Sequence, residues 1–488
     1  MKRTIKTLCL GLILVCAMGA AIPNCGGLRA YDFKQVNVSG FDTQDNAVDK
    51  NSYAYGMAYF KADDAAEGYV YVGTGNNIAG LVEYYITTLI SGGDILDAPI
   101  RPPEIRRYRP DLGPRSWEKV FDYRDVEIDP DFKTIGFRFM VDLDVPDLAK
   151  DSAPVSYLYA ATQGEQSVLW RSRTGNYGDW EQVFALDTFG NSIRWIEQLD
   201  GRVYLAVAYD SFGSEPPPGE IWVSDDGVNF EPIMQDGFGN PDNRGVQTLI
   251  AYNGWIYAGT KNDVEGFEIW KFRPAGDGYE YVKVVDRGGP SAHNENAGMV
   301  IVFKGLLYFG TQLYVAGVNP TSGNAFQGCD IIRIDANDNW ETVVGPHSIS
   351  GYESGFNHFT NAYLWWMEEH EGWLYASTFD QGTILAVLLD DPGAVLEYLQ
   401  QAKAMNPAAL LADLVGNLLT LEQCYWLTHA GGDIFKSPNG VDWYAVTTDG
   451  LGNPGNYGWR TMVSAPDGGL YVGSTNPTEG TQIYRGAK

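Results

Sequence analysis

The chain of 488 residues is acidic, with 34 Lys and Arg against 62 Asp and Glu and a formal net charge of −28. Such a charge repels polyanions and argues against nucleic acid as a partner. Hydrophobic residues make up 44% of the chain, so a chain of this length can bury a large core.

Residues 1–30 predict an export signal. Basic residues including Lys2 and Lys6 precede an apolar run from Leu8 to Ile22 that is rich in small residues toward its end. Cleavage of the signal after Ala30 and cleavage near Ala20 are both consistent with this pattern. The run is short for a membrane span, and no later stretch supplies one. We therefore expect a secreted or periplasmic monomer with no transmembrane segment after signal removal.

A short apolar strand with tyrosine at a fixed place recurs along the rest of the chain. The tyrosines are Tyr71, Tyr159, Tyr204, Tyr257, Tyr308, Tyr375 and Tyr471. An apolar strand precedes each one. An acidic-apolar pair such as Glu268-Ile269 follows, and then an aromatic three residues before a β-branched residue, as in Trp340-Glu-Thr-Val343. Four strands per repeat, with intervals of about 50 residues where connections are short, predict propeller blades.

The seventh repeat ends early. After Tyr471 the chain reaches Gln482-Ile-Tyr484 and then ends, so the last blade lacks its outermost strand. Phe33-Lys-Gln-Val36 carries the missing pattern near the other end of the chain. An open ring would expose two sheet edges, and lending this strand to the last blade removes them. The prediction is an all-β, seven-bladed β-propeller over residues 31–488, closed by an N-terminal strand.

These motifs carry a family resemblance. The order of Gly469-Leu-Tyr-Val-Gly-Ser474, Glu220-Ile-Trp222 and the Trp340 motif resembles Kelch-type repeats. Ser224-Asp-Asp-Gly227 and Ser437-Pro-Asn-Gly440 resemble shortened Asp-box turns. The chain is similar to secreted bacterial and archaeal propellers, most of which have no assigned activity. The resemblance implies an architecture and no particular chemistry.

Long connections fall on one rim of the predicted ring, between second and third strands or between blades. Two of them have helical periodicity, at about residues 75–103 and 381–432, with apolar stripes such as Ile78, Leu81 and Val82. A cap that packs on itself is the favoured interpretation. A lid over a ligand and a helix pair resting on a membrane are the alternatives.

Four of the five histidines map to the same rim, together with two carboxylates. The candidate binding residues are His293, Glu295, His347, His358, Asp380 and His429. Imidazoles and carboxylates that converge near a central channel could bind a divalent metal ion or serve as acid and base. Hydrogen-bonded structural groups are the favoured alternative, since no His-Glu-x-x-His spacing is present. The pattern names neither a catalytic residue nor a metal ligand.

Two cysteines of the predicted domain, Cys329 and Cys424, precede third strands in adjacent blades. A disulfide between them suits an exported protein, and two buried thiols are the equal alternative.

Two classes of function follow from these patterns. The favoured one is an exported binding or scaffold propeller that takes a glycan, a protein or a small ligand on its insertion-rich face. The alternative is an extracellular hydrolase or lyase with a histidine or carboxylate site, metal-bound or not, at the channel mouth. Long loops on a rigid scaffold suit both.

Overall fold

The computed structural model describes residues 26–41, 51–75, 102–113, 115–126, 134–146, 153–187, 190–209, 216–313, 327–382, 430–477 and 479–488. Within these ranges 28 antiparallel strands form seven units of four strands. The first strands of consecutive units pack against one another all the way round, including the first strand of unit 7 against that of unit 1. The fold is therefore a propeller-like ring, with the first strands innermost.

The strands are as follows. Unit 1 has β2 Tyr53–Phe60, β3 Tyr69–Gly75, β4 Glu104–Tyr108 and β5 Glu118–Asp122. Unit 2 has β6 Thr134–Val145, β7 Val155–Gly164, β8 Val168–Ser172 and β9 Glu181–Ala185. Unit 3 has β10 Asn191–Leu199, β11 Arg202–Tyr209, β12 Glu220–Ser224 and β13 Glu231–Met234. Unit 4 has β14 Gly245–Tyr252, β15 Trp255–Lys261, β16 Ile269–Ala275 and β17 Gly278–Val285.

Unit 5 has β18 Asn296–Phe303, β19 Leu306–Gln312, β20 Ile331–Ile334 and β21 Trp340–Val344. Unit 6 has β22 Asn361–His370, β23 Trp373–Asp380, β24 Ile434–Ser437 and β25 Tyr444–Thr447. Unit 7 has β26 Gly458–Ala465, β27 Gly469–Thr475, β28 Ile483–Gly486 and, as its outermost strand, β1 Phe33–Gln35. Short 3₁₀ helices cover Ala30–Asp32, Ser39–Phe41, Pro110–Leu112, Tyr123–Asp125 and Ser354–Asn357.

The N-terminal strand closes the last unit, which confirms the predicted pairing. β1 is antiparallel to β28, with Phe33 opposite Gly486 and Gln35 opposite Tyr484. A Cβ on Gly486 would lie 2.7 Å from the Phe33 ring, so glycine lets that buried ring pack against the strand. The closure covers an edge of β28 that would otherwise be open to pairing.

The residues just before β1 are also held in place. Leu28 is buried, and its N–H donates to the Tyr375 hydroxyl at 2.7 Å. Lys436 Nζ donates to the carbonyl oxygens of Gly26 and Leu28 at 3.0 and 2.7 Å. Cleavage near Ala20 would keep these contacts, whereas cleavage after Ala30 would remove them. Residues 1–25 lie outside the described residues, so the export signal stays a prediction.

The repeated tyrosines join each unit to the next. All seven are at most 1% exposed. Tyr159 Oη donates to the Gly227 carbonyl at 3.1 Å and Tyr257 Oη to Asp338 at 2.6 Å, and each acceptor lies in the turn after the third strand of the following unit. In unit 6 the next outer strand comes from the N-terminus, and Tyr375 accordingly contacts Leu28. The tyrosine repeat is thus a repeat of interfaces between units.

The threonine that follows the tyrosine strand has a local role. The hydroxyls of Thr260, Thr311 and Thr378 accept hydrogen bonds of 2.8, 2.8 and 3.0 Å from the first backbone N–H of the acidic-apolar pair. Each hydroxyl satisfies a buried donor where the third strand begins. This threonine therefore fixes the connection between the second and third strands in these three units.

The predicted helical insertions at about 75–103 and 381–432 lie almost wholly outside the described residues, on 76–101 and 383–429. Their ends, Gly75 and Gly382 among them, sit on one face of the ring. We call this the upper face: it is the face on which the inner strands begin and the second strands end. None of the helices in the described part is long and apolar enough to cross a membrane.

Candidate functional site

The predicted site residues lie in two units on the upper face. His293 and Glu295 are half-buried in the segment before β18. His347 is exposed in the turn after β21, whereas His358 and Asp380 are buried in unit 6. His429 lies outside the described residues, so its part in the predicted set stays untested.

Of this set, His358 and Asp380 come together, and Asp433 joins them. His358 Nδ1 lies 3.0 Å from Asp433 Oδ2, and its Nε2 lies 2.8 Å from Thr360 Oγ1 and 4.0 Å from Asp380 Oδ1. Asn361 Nδ2 donates to the same Asp433 oxygen at 2.7 Å. We did not predict Asp433 as a site residue, although it is the acidic member of the sixth repeat's acidic-apolar pair.

Asp380 holds the two ends of the longest connection. Its Oδ1 accepts the Gly382 N–H at 2.7 Å and its Oδ2 accepts the Gly431 N–H at 3.0 Å. Gly382 and Gly431 flank residues 383–429. One buried carboxylate thus fixes both the exit and the return of the chain, which is a structural task.

The electrostatics agree with a structural role. Burial opposes the charge on His358, but the charge and hydrogen bond of Asp433, together with Asp380, raise its pKa above the usual value. For Asp380, by contrast, burial is the main cause of the shift and raises the pKa. The side chains of His358, Asp380 and Asp433 are at most 1% exposed. The triad is an internal ion cluster that a substrate cannot reach through the described residues.

A second constellation lies at the ring centre and was not predicted. Every inner strand has a β-bulge at the same register, where one residue is left out of the pairing with the second strand. A bulge re-aims a side chain and is common next to functional sites. From unit 1 to unit 7 the bulge residues are Tyr55, Arg138, Arg194, Gln247, Gly298, Trp365 and Arg460.

Bulge side chains of four consecutive units contact one another in series. Arg460 lies over the rings of Trp365 and Tyr55, with centroid distances of 5.8 and 5.3 Å. At the other end of the series, the Arg138 guanidinium lies 5.1 Å from the centroid of the Tyr55 ring. Its Nη1 donates to the Tyr55 hydroxyl and to Gln163 Oε1. The series runs from unit 6 through units 7 and 1 to unit 2.

Aromatic side chains surround this series on the upper face. Tyr53, the first residue of β2, packs edge-on against Trp365 at 6.2 Å, although their units are separated by unit 7. The Tyr53 and Tyr457 hydroxyls are hydrogen-bonded to each other. Burial raises the pKa of both phenols, which therefore stay neutral. We call this group of Tyr53, Tyr55, Trp365, Phe379 and Tyr457, with Arg138 and Arg460, the channel mouth.

The channel is closed one residue further along the inner strands. Trp195 stacks on Trp366 at 6.0 Å, although units 3 and 6 lie on opposite sides of the ring. Phe139 contacts both, at 4.7 and 6.5 Å. These three rings form an aromatic plug, because residues from opposite units can meet only at the axis. The channel mouth consequently lies on the upper side of this plug, and its five aromatic rings are buried, at 2–9% exposure.

A signal for the channel mouth was present in the sequence. Arg138, Arg194 and Arg460 each stand inside an apolar inner strand, as in Trp459-Arg-Thr-Met-Val463. A charged residue at a fixed place in strands that are otherwise buried indicates a special environment. Aligning the inner strands would have placed the three arginines in one layer, but the register shift that turns them to the centre is a tertiary feature.

Two other expectations concern metals and cysteines. Among the residues that the structure describes, no group of three or more His, Cys, Asp or Glu side chains is arranged to hold a metal ion. Cys329 is buried, and Cys424 lies outside the described ranges, so the disulfide stays a prediction.

Comparisons with known proteins give a likeness of fold. No protein-family model and no curated protein matches the sequence. Among solved structures, an α-L-arabinofuranosidase mutant from Fusarium graminearum with an iminosugar inhibitor matches at 12% identity, TM-score 0.41, over 72% of this chain and 93% of that one.

A prolyl endopeptidase matches at 9% identity and TM-score 0.41, over 90% of this chain and 51% of that one. This chain therefore spans about half of the endopeptidase. A chain of the mitotic checkpoint complex matches at 8% identity and TM-score 0.44, over 96% and 94%. At these identities and TM-scores the likenesses assign neither a family nor an activity.

Proposed function

We propose that the chain is an exported, Kelch-like, seven-bladed β-propeller that acts as a binding protein and takes a glycan at its channel mouth. The observation that carries this proposal is the layer of aromatic side chains above the plug at the ring centre. Ligand sites in proteins are typically concave and lined by aromatic side chains with a few fixed polar groups. Tyr53, Tyr55 and Trp365 supply the rings, and Arg138 and Arg460 supply fixed polar groups.

Glycan is favoured over a protein partner because the rings of the channel mouth are at most 9% exposed and so offer little area to a protein surface. Stable protein partners bury about 800 Å² on each side of an interface. A sugar ring matches one aromatic face, and its hydroxyls match phenol and guanidinium donors. Export rests on residues 1–30, which predict a signal.

The hydrolase or lyase alternative has less support. It needs an acid and a base that reach the substrate, and the predicted His358 and Asp380 are buried in an ion cluster. Detection of cleavage products from a bound oligosaccharide would nevertheless support the hydrolase or lyase alternative.

Calorimetric titration of the full exported protein with a panel of neutral and acidic oligosaccharides tests the proposal. We expect at least one saturable binder, and we expect Trp365→Leu to weaken it about tenfold or more, as for an aromatic anchor. Trp340→Leu is the matched control, because Trp340 is 38% exposed on the outer strand β21. A panel without any binder, or a correctly folded Trp365→Leu protein that binds like the wild type, would refute the proposal.

A further inference from the structure

Lys436, in the third strand of unit 6, is a buried lysine that is held by the N-terminal segment. Its exposure is 0%. Nζ donates to the carbonyl oxygens of Gly26 and Leu28 at 3.0 and 2.7 Å, and it lies 5.3 Å from the centroid of the Trp373 ring. Within the described part of the chain, these two carbonyls are its hydrogen-bond acceptors. Removing them would leave a buried ammonium group without an acceptor, which is costly.

Leu28 belongs to the core of the last two units. It is 1% exposed and lies in a buried cluster with Phe33 and Trp459. Its N–H donates to the Tyr375 hydroxyl at 2.7 Å. The side chain, the N–H and the carbonyl of this one residue therefore all have partners in the fold. Without Leu28 the cluster would contain a cavity, and the surrounding core would lose its contacts.

Two glycines let the chain pass close to Trp373 just before Leu28. A Cβ on Gly26 would lie 2.4 Å from the Trp373 ring. Gly27 has φ +66°, and a Cβ there would lie 3.0 Å from the same ring. Glycine at both positions permits this approach. Residues 26–28, which we call the N-terminal strap, thus fit the fold as closely as a core segment does, whereas a leader that is removed before folding needs no such contacts.

The two predicted cleavage sites differ in whether they keep the strap, and the sequence around them differs too. Signal cleavage sites have small residues at the last and third-last positions of the leader. Gly19-Ala-Ala21 has that pattern. Leu28-Arg-Ala30 has leucine at the third-last position. The site near Ala20 therefore has the better sequence and is also the one that preserves the strap.

We infer that the export signal is cleaved on the N-terminal side of Gly26, and that the retained strap locks β1 onto the last two units. This inference rests on the export part of the proposed function and adds the processing site. In the reaction, water hydrolyses one peptide bond and leaves a carboxylate on the leader and an amino group on the mature chain. The strap contacts unit 6 and leads into β1, which pairs within unit 7.

Export of the full chain with its own leader from a bacterial host tests the processing site. Intact-mass measurement and N-terminal sequencing of the exported protein should show a chain that begins between Ala20 and Gly26. A chain that begins after Gly26, at Tyr31 for example, would overturn the inference and leave export intact. A chain that stays in the cell with its leader uncleaved would refute the proposed export and the inference together.

A substitution within the strap tests the lock. Leu28→Gln, produced with the same leader, buries a polar amide and should lower the melting temperature by about 3 °C or more. Glutamine is chosen because alanine would itself place a small residue at the third-last position before residue 31. Tyr31→Gln is the matched control, since Tyr31 is 70% exposed, and should shift the melting temperature by less than about 1 °C.

The melting temperatures are read together with the N-terminal sequences. If the leader were cleaved after Ala30, residue 28 would be absent from the exported protein, and Leu28→Gln would melt like the wild type. Equal melting temperatures of Leu28→Gln and Tyr31→Gln would therefore contradict the lock. The N-terminal sequence of the wild-type protein decides the processing site even if Leu28→Gln does not fold.

Discussion

Units 5 and 6 place a carboxyl group at the same position but stabilise it in different ways. In unit 5, Asp330 accepts hydrogen bonds from Asn294 Nδ2 at 2.8 Å and Ser354 Oγ at 2.6 Å. Burial raises its pKa to about 7. In unit 6, Asp433 accepts from Asn361 and also contacts His358.

The difference lies in what each unit must hold. Unit 6 carries a second buried carboxylate, Asp380, which fixes the ends of residues 383–429. His358 is the basic group between the two carboxyl groups, with Nδ1 3.0 Å from Asp433 and Nε2 4.0 Å from Asp380. The local Asn-Thr-acid arrangement is the same in both units, so the units differ in the other partner of the acid, which is the Ser354 hydroxyl in unit 5 and the His358 imidazole in unit 6.

The largest expected effect comes from removing that basic group. His358→Leu leaves Asp433 and Asp380 buried without a counter-charge, and we expect the free energy of unfolding to fall by about 3–5 kcal/mol. Chemical denaturation measures it. The control is His347→Asn at an exposed turn, which should change stability by about 0.5 kcal/mol or less. A loss below about 1 kcal/mol for His358→Leu would show that the cluster needs no cation.

The next largest loss of stability is expected from a substitution at the contact between units 5 and 6. Gly440 of unit 6 has φ +77°, and a Cβ there would lie 2.1 Å from the Tyr308 hydroxyl of unit 5. Gly440→Ala should destabilise the protein by about 3 kcal/mol through backbone strain and overpacking. Gly372→Ala is the control, with φ +79° and nothing within 4 Å, and should cost about 1 kcal/mol. Equal losses in thermal unfolding would contradict the packing argument.

The titration of Asp330 gives an effect on stability that is spread over several pH units. Its folded pKa is about 7, above the unfolded value of about 3.9, so the folded state binds the proton more tightly. The resulting stability is full below about pH 4 and is lost as pH rises to about 7, by at most about 1.4 kcal/mol per pH unit. Denaturant titrations between pH 4 and 8 should show a flatter profile for Asp330→Asn.

His358 shifts stability in the same direction but in a higher window. Its folded pKa is raised, so its contribution is full below about pH 6.5 and declines as pH rises through the folded pKa. A pH profile of Asp330→Asn that matches the wild type between pH 4 and 6 would contradict the assignment of that window to unit 5.

The smallest expected effect on stability is a difference between Tyr375 and Tyr308, which lie at two interfaces between units. Tyr375 of unit 6 accepts the buried N–H of Leu28 at 2.7 Å, so Tyr375→Phe leaves a buried donor and should cost about 1–2 kcal/mol. Tyr308→Phe in unit 5 should cost less, because that hydroxyl packs against the turn glycine Gly440. Thermal unfolding of the two variants decides it, and a larger loss for Tyr308→Phe would reverse the comparison.

Much of the ring could be predicted because it repeats. Strand periodicity, the tyrosine position and the Phe33 pattern each recur locally, and local patterns need no knowledge of distant contacts. The candidate site was harder. His358 and Asp380 are indeed close to each other, but their role depends on Asp433, which comes from a strand after the long connection, and on the N–H of Gly431.

By itself the sequence determined the strand pattern, the order of strands in each unit and the pairing of the first strand with the last unit. These features follow from local residue types, which set backbone pairing and side-chain alternation. Only the tertiary structure decided which side chains face the centre. A bulge shifts the register by one residue, and that shift turns Arg138, Arg194 and Arg460 into one layer. Burial in turn raised the pKa of Asp330, because desolvation depends on every neighbour in the folded protein and not on the local sequence alone.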